Sequence, residues 1–186
     1  MGVVGIVLAA GAGRRMGAPK ALLRHVDGRT FAAASGELLL AAGCPVVLVT
    51  LRTGQELPPG VVAVEVPDSS RGPGAGLARA LRHPLARQAE AVLVTLVDLP
   101  GIDVVGVRAV LAHASPTVLA RGVERGRPGH PVLVGRAHVA RALELADTGS
   151  GLNALFGEIP WTAVEVRGAA ADVDHPEDLP PGTRSA

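Results

Sequence analysis

Residues 3–20 read Val-Val-Gly-Ile-Val-Leu-Ala-Ala-Gly-Ala-Gly-Arg-Arg-Met-Gly-Ala-Pro-Lys. The first seven of them, Val3–Ala9, are apolar without alternation, which indicates a strand that is buried on both faces. A glycine-rich, basic loop follows directly, over residues 11–20. In a parallel α/β sheet, ligands bind beyond the carboxyl ends of the strands, where such a loop would lie. This stretch therefore predicts both the fold class and the place of the site.

Short apolar runs alternate with helical patterns along the rest of the chain. The further predicted strands are Val46–Leu51, Val61–Val66, Ala91–Val97, Pro116–Arg121, Pro131–Gly135, Thr162–Arg167 and a short Ala170–Asp174, with Gly122–His130 as a loop. Five helices are predicted. The first runs from the cap Thr30 to about Ala42, the second from the loop Ser69–Gly74 to about Gln88, and the third from the cap Asp103 to near His113. The fourth covers Arg136–Ala146, and the last begins at Pro176. This alternation predicts a three-layer α/β sandwich with a mostly parallel, Rossmann-like sheet.

Length and composition narrow the class of protein. The 186 residues, 48% of them hydrophobic, predict one domain over 1–186 with a frayed tail from about residue 180. A net charge of +1 argues against nucleic acid as a partner, and no apolar stretch approaches the length of a membrane helix. The only cysteine is Cys44, which we expect to be an apolar filler. A protein with no intrachain disulfide and no signal peptide is expected in the cytoplasm.

The glycine loop has the composition of a phosphate-binding loop. Glycines let backbone N–H groups converge on an anion, and Arg14, Arg15 and Lys20 add positive charge beside them. A dinucleotide-binding fingerprint is excluded because Met16 stands where its third glycine belongs, and a Walker A loop because Ala18 follows Gly17. The loop therefore predicts binding of a triphosphate, in a mode that differs from both of these motifs.

Carboxylates follow two later apolar segments. Asp98 comes directly after the most apolar predicted strand, and Asp172 and Asp174 are two residues apart, so they would share a face if the segment is extended. Mg²⁺ prefers one or two carboxylates together with phosphate oxygens and water. From position alone, a turn or a helix cap at Asp98 remains the alternative reading.

The loop also resembles the signature of MobA-like nucleotidyltransferases, which include molybdenum-cofactor cytidylyltransferases and guanylyltransferases. The resemblance lies in Leu8-Ala9-Ala10-Gly11, Arg15-Met16-Gly17 and Pro19-Lys20, in Asp98-Leu99-Pro100 and in the run from Asp172 to Leu179. It implies Lys20, Arg15 and Asp98 as catalytic residues, and Asp98 with Asp174 or Asp172 as ligands of Mg²⁺, with Mn²⁺ as an alternative. His175 is then a residue at a cap position. The implied nucleotide-binding residues are Leu8, Ala9, Ala10, Gly11, Ala12, Gly13, Arg14, Met16 and Gly17, together with Gly72, Gly74 and Gly76.

Two further segments concern the substrates. The segment Gly72-Pro73-Gly74-Ala75-Gly76 is similar to the guanylyltransferase version, whereas much of the chain looks like the cytidylyltransferase branch, so CTP and GTP both stay open. The segment Gly126–Pro131 resembles the acceptor loop and implies contacts from Arg127 and His130, with a hairpin turn as the alternative. The family's arginine is replaced by Gly151.

The resemblance implies transfer of a nucleotide from the NTP to a phosphorylated small molecule, foremost molybdopterin. A sugar phosphate or another phosphorylated metabolite is the alternative acceptor. A non-catalytic chaperone that binds the cofactor and delivers it to a molybdoenzyme partner is the alternative from a different class.

Overall fold

Seven strands form one mixed sheet in the computed structural model, which describes residues 2–13, 16–52, 54–67, 74–149 and 151–184. The strands are β1 Val3–Leu8, β2 Val47–Leu51, β3 Val61–Glu65, β4 Ala91–Leu96, β5 Leu119–Glu124, β6 Arg127–Gly135 and β7 Thr162–Glu165. Their order is β3-β2-β1-β4-β6-β5-β7, and β6 is antiparallel to both of its neighbours. The remaining pairs are parallel, so the prediction of a mostly parallel sheet is confirmed.

Helices cover both faces of this sheet. They are α1 Phe31–Ala42, α2 Gly74–Leu81, α3 Pro84–Gln88, α4 Val104–Leu111, α5 Arg136–Asp147 and α6 Leu155–Glu158. Helices α1 and α4 bury Phe31, Leu39 and Val107 against one face, and α2, α5 and α6 bury Leu77 and Leu155 against the other. Three layers result, as predicted, because strands that are apolar on both sides need a cover on both sides.

The helix boundaries that cap chemistry predicts are confirmed at two helices. Thr30 Oγ1 accepts a hydrogen bond from Ala33 N at 3.1 Å, and Gly43 ends α1 with φ at 121°. Asp103 Oδ1 accepts a hydrogen bond from Gly106 N at 2.8 Å at the start of α4. Both side chains satisfy a backbone donor that the first helical turn leaves unpaired.

Two predicted elements were wrong in their extent. The single helix to Gln88 is divided into α2 and α3, because Pro84 has no N–H and holds His83 in an extended conformation with ψ at 138°. The predicted loop Gly122–His130 is instead the paired end of a hairpin. Strands β5 and β6 continue to a two-residue turn, Arg125-Gly126, where both φ angles are positive.

The C-terminal segment also differs from the prediction. Residues 170–174 form no strand, because their backbone bonds to a loop: Val173 N donates to Asp98 O at 2.9 Å. Pro176–Asp178 is a single 3₁₀ turn with His175 at its cap position. The tail predicted to fray is paired as far as Arg184, which exchanges two backbone hydrogen bonds with Arg24.

Two further predictions concern membrane helices and the single cysteine. In the described ranges, no helix combines the length and the apolarity that crossing a bilayer requires. Cys44 is buried between α1 and β2, where burial raises the pKa of its thiol to about 12. The side chain therefore fills space as a thiol, in agreement with the expectation of an apolar filler.

Candidate functional site

A cation and two carboxylates from three distant parts of the chain meet at the carboxyl edge of the sheet. Lys20 Nζ donates hydrogen bonds to Asp98 Oδ2 at 2.7 Å and to Asp174 Oδ1 at 2.8 Å. The side chains of Lys20 and Asp98 are only 16% and 17% exposed, and that of Asp174 is 43% exposed. Burial alone would lower the pKa of Lys20, but the hydrogen bonds to both carboxylates outweigh it and raise this pKa above its ordinary value. The ammonium therefore stays charged at neutral pH.

Strand order explains why these side chains converge. Strands β1 and β4 are parallel neighbours that pair from Val3↔Ala91 to Leu8↔Leu96, so the loops that follow them start at the same edge. Lys20 lies at the end of the first loop and Asp98 near the start of the second. The hydrogen bond from Val173 N to Asp98 O then places Asp174 beside both.

Described contacts constrain the glycine loop just before its start and at Gly13. Ala9 N donates to Thr50 Oγ1 at 3.0 Å, which attaches the loop to the end of β2. Gly13 has φ at 59°, and a Cβ there would come within 1.8 Å of Ala18 O, so no residue with a side chain fits. Met16 N donates to Gly13 O at 3.0 Å.

The other residues predicted to bind the nucleotide in this loop differ in how exposed they are. Leu8 ends β1, Ala10 is buried, Gly11 and Gly17 are exposed, and Ala12 is partly exposed. Arg14 and Arg15 lie outside the described residues, so the structure places Lys20 alone among the predicted cations of the loop.

The carboxylates suit a divalent cation in one respect. Asp98 Oδ1 is buried and accepts no hydrogen bond from any described residue. An unpaired carboxylate oxygen in a buried position is costly, and Mg²⁺ or Mn²⁺ prefers oxygen ligands of this kind. No group of three or more His, Cys, Asp or Glu side chains in the described ranges could hold a metal, so the protein would contribute Asp98 and Asp174 and leave the other positions to substrate and water. Asp172 is exposed and lies two residues before Asp174 in the sequence.

In the second glycine segment, the two glycines that the structure describes are closely surrounded by other elements. Gly72 lies outside the described residues. Gly74 and Gly76 are both buried at the start of α2. A Cβ on Gly74 would come within 2.2 Å of Ala146 O in α5, and one on Gly76 would touch Thr50 Oγ1 at 3.4 Å. Close packing against α5 thus accounts for the glycine at position 74, and nucleotide binding by these residues stays a prediction.

The two residues predicted for the acceptor side, His130 and Arg127, differ in burial. His130 is partly buried next to the site, and its Nδ1 lies 3.2 Å from Val94 O. Burial lowers the pKa of His130 below its ordinary value, and the nearby carboxylates of Asp98 and Asp172 only partly oppose this, so the ring is neutral at neutral pH. Arg127 is exposed beside the hairpin turn.

Two side chains near the site were missed by the sequence analysis. Thr50 holds the backbone of the glycine loop and is one of three buried polar residues among those described. Arg121 is a partly buried guanidinium in β5 beside His130. Each could have been noticed as a polar residue inside an otherwise apolar strand, but the strand pairing that gives it a role is not visible in the sequence.

Comparison with known proteins places most of the chain in one family. The family model described as "MobA-like NTP transferase domain" matches residues 5–163. A probable molybdenum cofactor guanylyltransferase of Rhodopirellula baltica is 36% identical over 135 residues, which are 67% of this chain and 64% of that protein. The match thus spans slightly less than two thirds of the relative. Nicotine blue oxidoreductase of Paenarthrobacter nicotinovorans is 29% identical over 86% of this chain and 83% of its own.

Solved structures share the fold over nearly the full length. Rv0371c from Mycobacterium tuberculosis H37Rv is 27% identical, covers 96% of each chain and superposes with a TM-score of 0.73. A complex of the same protein with manganese is 26% identical, covers 95% of each chain and has a TM-score of 0.67. The similarity therefore extends beyond the first loop to the C-terminal segment that carries Asp174.

Proposed function

Because the chain belongs to the MobA-like NTP transferase domain family, we propose that it transfers a nucleoside monophosphate from CTP or GTP to a phosphorylated small molecule. The observation that carries this proposal is the position of Lys20 between Asp98 and Asp174, at the end of a loop that opens at the carboxyl edge of the sheet. A permanently charged ammonium beside backbone amides suits a polyphosphate.

The reaction needs little covalent help from the protein. A phosphate oxygen of the acceptor forms a bond to the α-phosphorus of the NTP, and the bond from that phosphorus to the oxygen shared with the β-phosphate breaks. Pyrophosphate leaves with the electron pair. The acceptor phosphate is already ionised at neutral pH, so no strong general base is required. The residues act by positioning and by charge: the loop amides and Lys20 hold the phosphates and offset the charge of the leaving group.

A bound Mg²⁺ would neutralise phosphate charge and polarise the phosphorus that is attacked. Asp98 and Asp174 are the residues that would hold it, and the unpaired Asp98 Oδ1 supports this assignment. Asp172 is the second choice for the same role. Mn²⁺ is the alternative ion, in keeping with the manganese complex of Rv0371c.

Molybdopterin is the acceptor that we propose first. Its support is the name of two relatives, probable molybdenum cofactor guanylyltransferases that are 36% and 39% identical to parts of this chain. The same names favour GTP over CTP, as does the segment Gly72-Pro73-Gly74-Ala75-Gly76. A sugar phosphate or another phosphorylated metabolite is the alternative acceptor.

Release of pyrophosphate tests the proposal directly. Each of the four NTPs would be incubated with the protein, Mg²⁺ and one acceptor from a panel that contains molybdopterin and several sugar phosphates. We expect pyrophosphate with GTP or CTP and one acceptor, and its loss in Lys20→Met, which removes the ammonium but keeps the length of the side chain. Arg136→Met, the same kind of change at an exposed position on α5, is the control.

Two outcomes would contradict a transferase. The first is that the protein binds NTP and molybdopterin but releases no pyrophosphate with any pair of NTP and acceptor. This result would favour a chaperone that delivers the cofactor to a molybdoenzyme. The similarity to nicotine blue oxidoreductase over 83% of that protein favours a redox reaction as the second candidate function. Turnover of nicotine blue with a supplied electron donor, in the absence of NTP, would support it.

A further inference from the structure

Arg121 differs from the other cations of the protein in its burial and in its lack of a counter-charge. Among the lysine and arginine residues that the structure describes, all except Lys20 and Arg121 are exposed. Lys20 has two carboxylate partners, whereas Arg121 forms no ion pair within the described ranges. Burial lowers the pKa of Arg121, but a guanidinium remains charged at neutral pH. The protein thus keeps a partly desolvated positive charge that an anion would stabilise.

Neighbouring groups fix the plane of this guanidinium. Arg121 Nε donates to Gly129 O at 2.9 Å, and Cζ lies 4.8 Å from the centre of the Phe156 ring. Phe156 in turn packs edge-to-face against Trp161 at 5.3 Å. None of the hydrogen bonds that Arg121 makes to described residues uses its two terminal nitrogens. These terminal N–H groups are the pair that grips two phosphate oxygens in a bidentate contact.

The strand register relates Arg121 to β4, the strand that precedes Asp98. Arg121 pairs with Val132, and Val132 pairs with Val94, so the three residues form one row across the sheet. Two strand spacings separate the ends of this row by about 10 Å. His130 lies between them, close enough that its charge balance responds to both Arg121 and Asp98. Asp98 follows Val94 by four residues, so a molecule that extends from Asp98 along His130 would run toward the Arg121 guanidinium.

We propose that Arg121 binds the phosphate group of the acceptor. This inference rests on the proposed function, because it assigns a residue to the second substrate of the same site. It also replaces Arg127, which is exposed beside the hairpin turn and is not held by any ring or carbonyl in the described structure. Arg121 is a binding residue that orients the attacking phosphate, and His130 separates it from the carboxylates.

Inorganic phosphate is the probe for the test. Wild type, Arg121→Met, Arg121→Lys and the exposed control Arg136→Met would each be loaded with a non-hydrolysable GTP or CTP analogue and Mg²⁺, then titrated with phosphate. We expect Arg121→Met to weaken phosphate binding about 10- to 100-fold and Arg121→Lys to weaken it less, since lysine keeps the charge but not the fork. Arg136→Met should bind phosphate like the wild type, and the affinity for the analogue should be the same in all four proteins.

A second measurement, NMR of the Arg121 side chain in the wild-type protein, does not depend on whether the variants fold. In wild-type protein, the Arg121 Nε resonance should shift on addition of phosphate and stay unchanged with an equal concentration of chloride. Unaltered phosphate affinity in Arg121→Met, or an Arg121 Nε resonance that does not shift when phosphate is added, would overturn the inference. If the wild type does not bind the analogue, the proposed function fails, and the titration of analogue-free protein still decides whether Arg121 binds phosphate.

Discussion

Lys20 is the only lysine of the chain, and its ammonium and two carboxylates depend on one another. Lys20 and Asp98 are mostly shielded from water, where an unpaired charge is costly. The arrangement keeps Lys20 protonated while Asp98 Oδ1 still lacks a partner among the described residues. A single residue change can therefore remove one charge without changing the shape of the site.

Asp98→Asn is such a change. The amide has the same shape, but it cannot neutralise Lys20 or a metal ion equally well, so we expect turnover to fall by about 10²- to 10³-fold. Circular dichroism and the unfolding midpoint should show a folded protein. Asp147→Asn is the matched control, because Asp147 forms an exposed ion pair with Arg82, a type that contributes little. A fully active Asp98→Asn enzyme would rule out the assigned role.

His130 predicts a pH dependence of stability. Burial lowers its pKa in the folded protein below the unfolded value of about 6.5, so the unfolded chain binds a proton that the folded chain excludes. The contribution is fully present above that pH and is lost as the pH falls toward the lowered pKa, by at most about 1.4 kcal/mol per pH unit.

The experiment is urea unfolding of wild type and His130→Gln between pH 7 and pH 5. The difference in the free energy of unfolding should shrink or reverse at the acid end, because glutamine does not titrate. His113→Gln, at an exposed position, should instead run parallel to the wild type. Parallel curves for His130→Gln would show that the ring is not held neutral.

At the scale of the elements, the contact between α2 and α5 can be tested with two glycine-to-alanine changes that should shift the free energy of unfolding in opposite directions. A methyl group on Gly74 would meet Ala146 O at 2.2 Å, whereas one on Gly157 in α6 meets nothing within 4 Å. We expect Gly74→Ala to lower the free energy of unfolding by about 1–3 kcal/mol through overpacking. Gly157→Ala should raise it by about 0.5–1 kcal/mol, because alanine loses less entropy in a helix. Unfolding in urea measures both, and equal effects would contradict the packing shown here.

Element prediction succeeded where a local signal decides the structure. Thr30, Gly43 and Asp103 mark helix ends through backbone conformation and capping, which neighbouring residues control. It failed for residues 170–174, which are extended in pattern but find their partner in the Asp98 loop. It also shortened the β5–β6 hairpin, because pairing across strands extends a strand beyond its apolar core.

For the molecule as a whole, the C-terminal tail joins the N-terminal region. Arg24 and Arg184 exchange backbone hydrogen bonds of 2.9 and 3.0 Å, although the tail was expected to fray. Truncation after Leu179 removes both bonds and should lower the free energy of unfolding by about 1–3 kcal/mol. Truncation after Arg184 keeps both bonds and is the control. If the two truncated proteins unfold at the same urea concentration, the pairing contributes nothing.

The order of apolar runs, turn residues and caps was sufficient to predict three layers and a mostly parallel sheet, since those features follow from local conformation and from the need to bury apolar faces. The residue types in the glycine loop and after β4 indicated phosphate and metal chemistry. Only the folded chain decides that Lys20 lies between Asp98 and Asp174, that Thr50 holds the backbone at Ala9, and that Arg121 is partly buried beside His130 whereas Arg127 is exposed. These contacts join residues up to 154 positions apart, and such proximity depends on strand order and register, which no local pattern encodes.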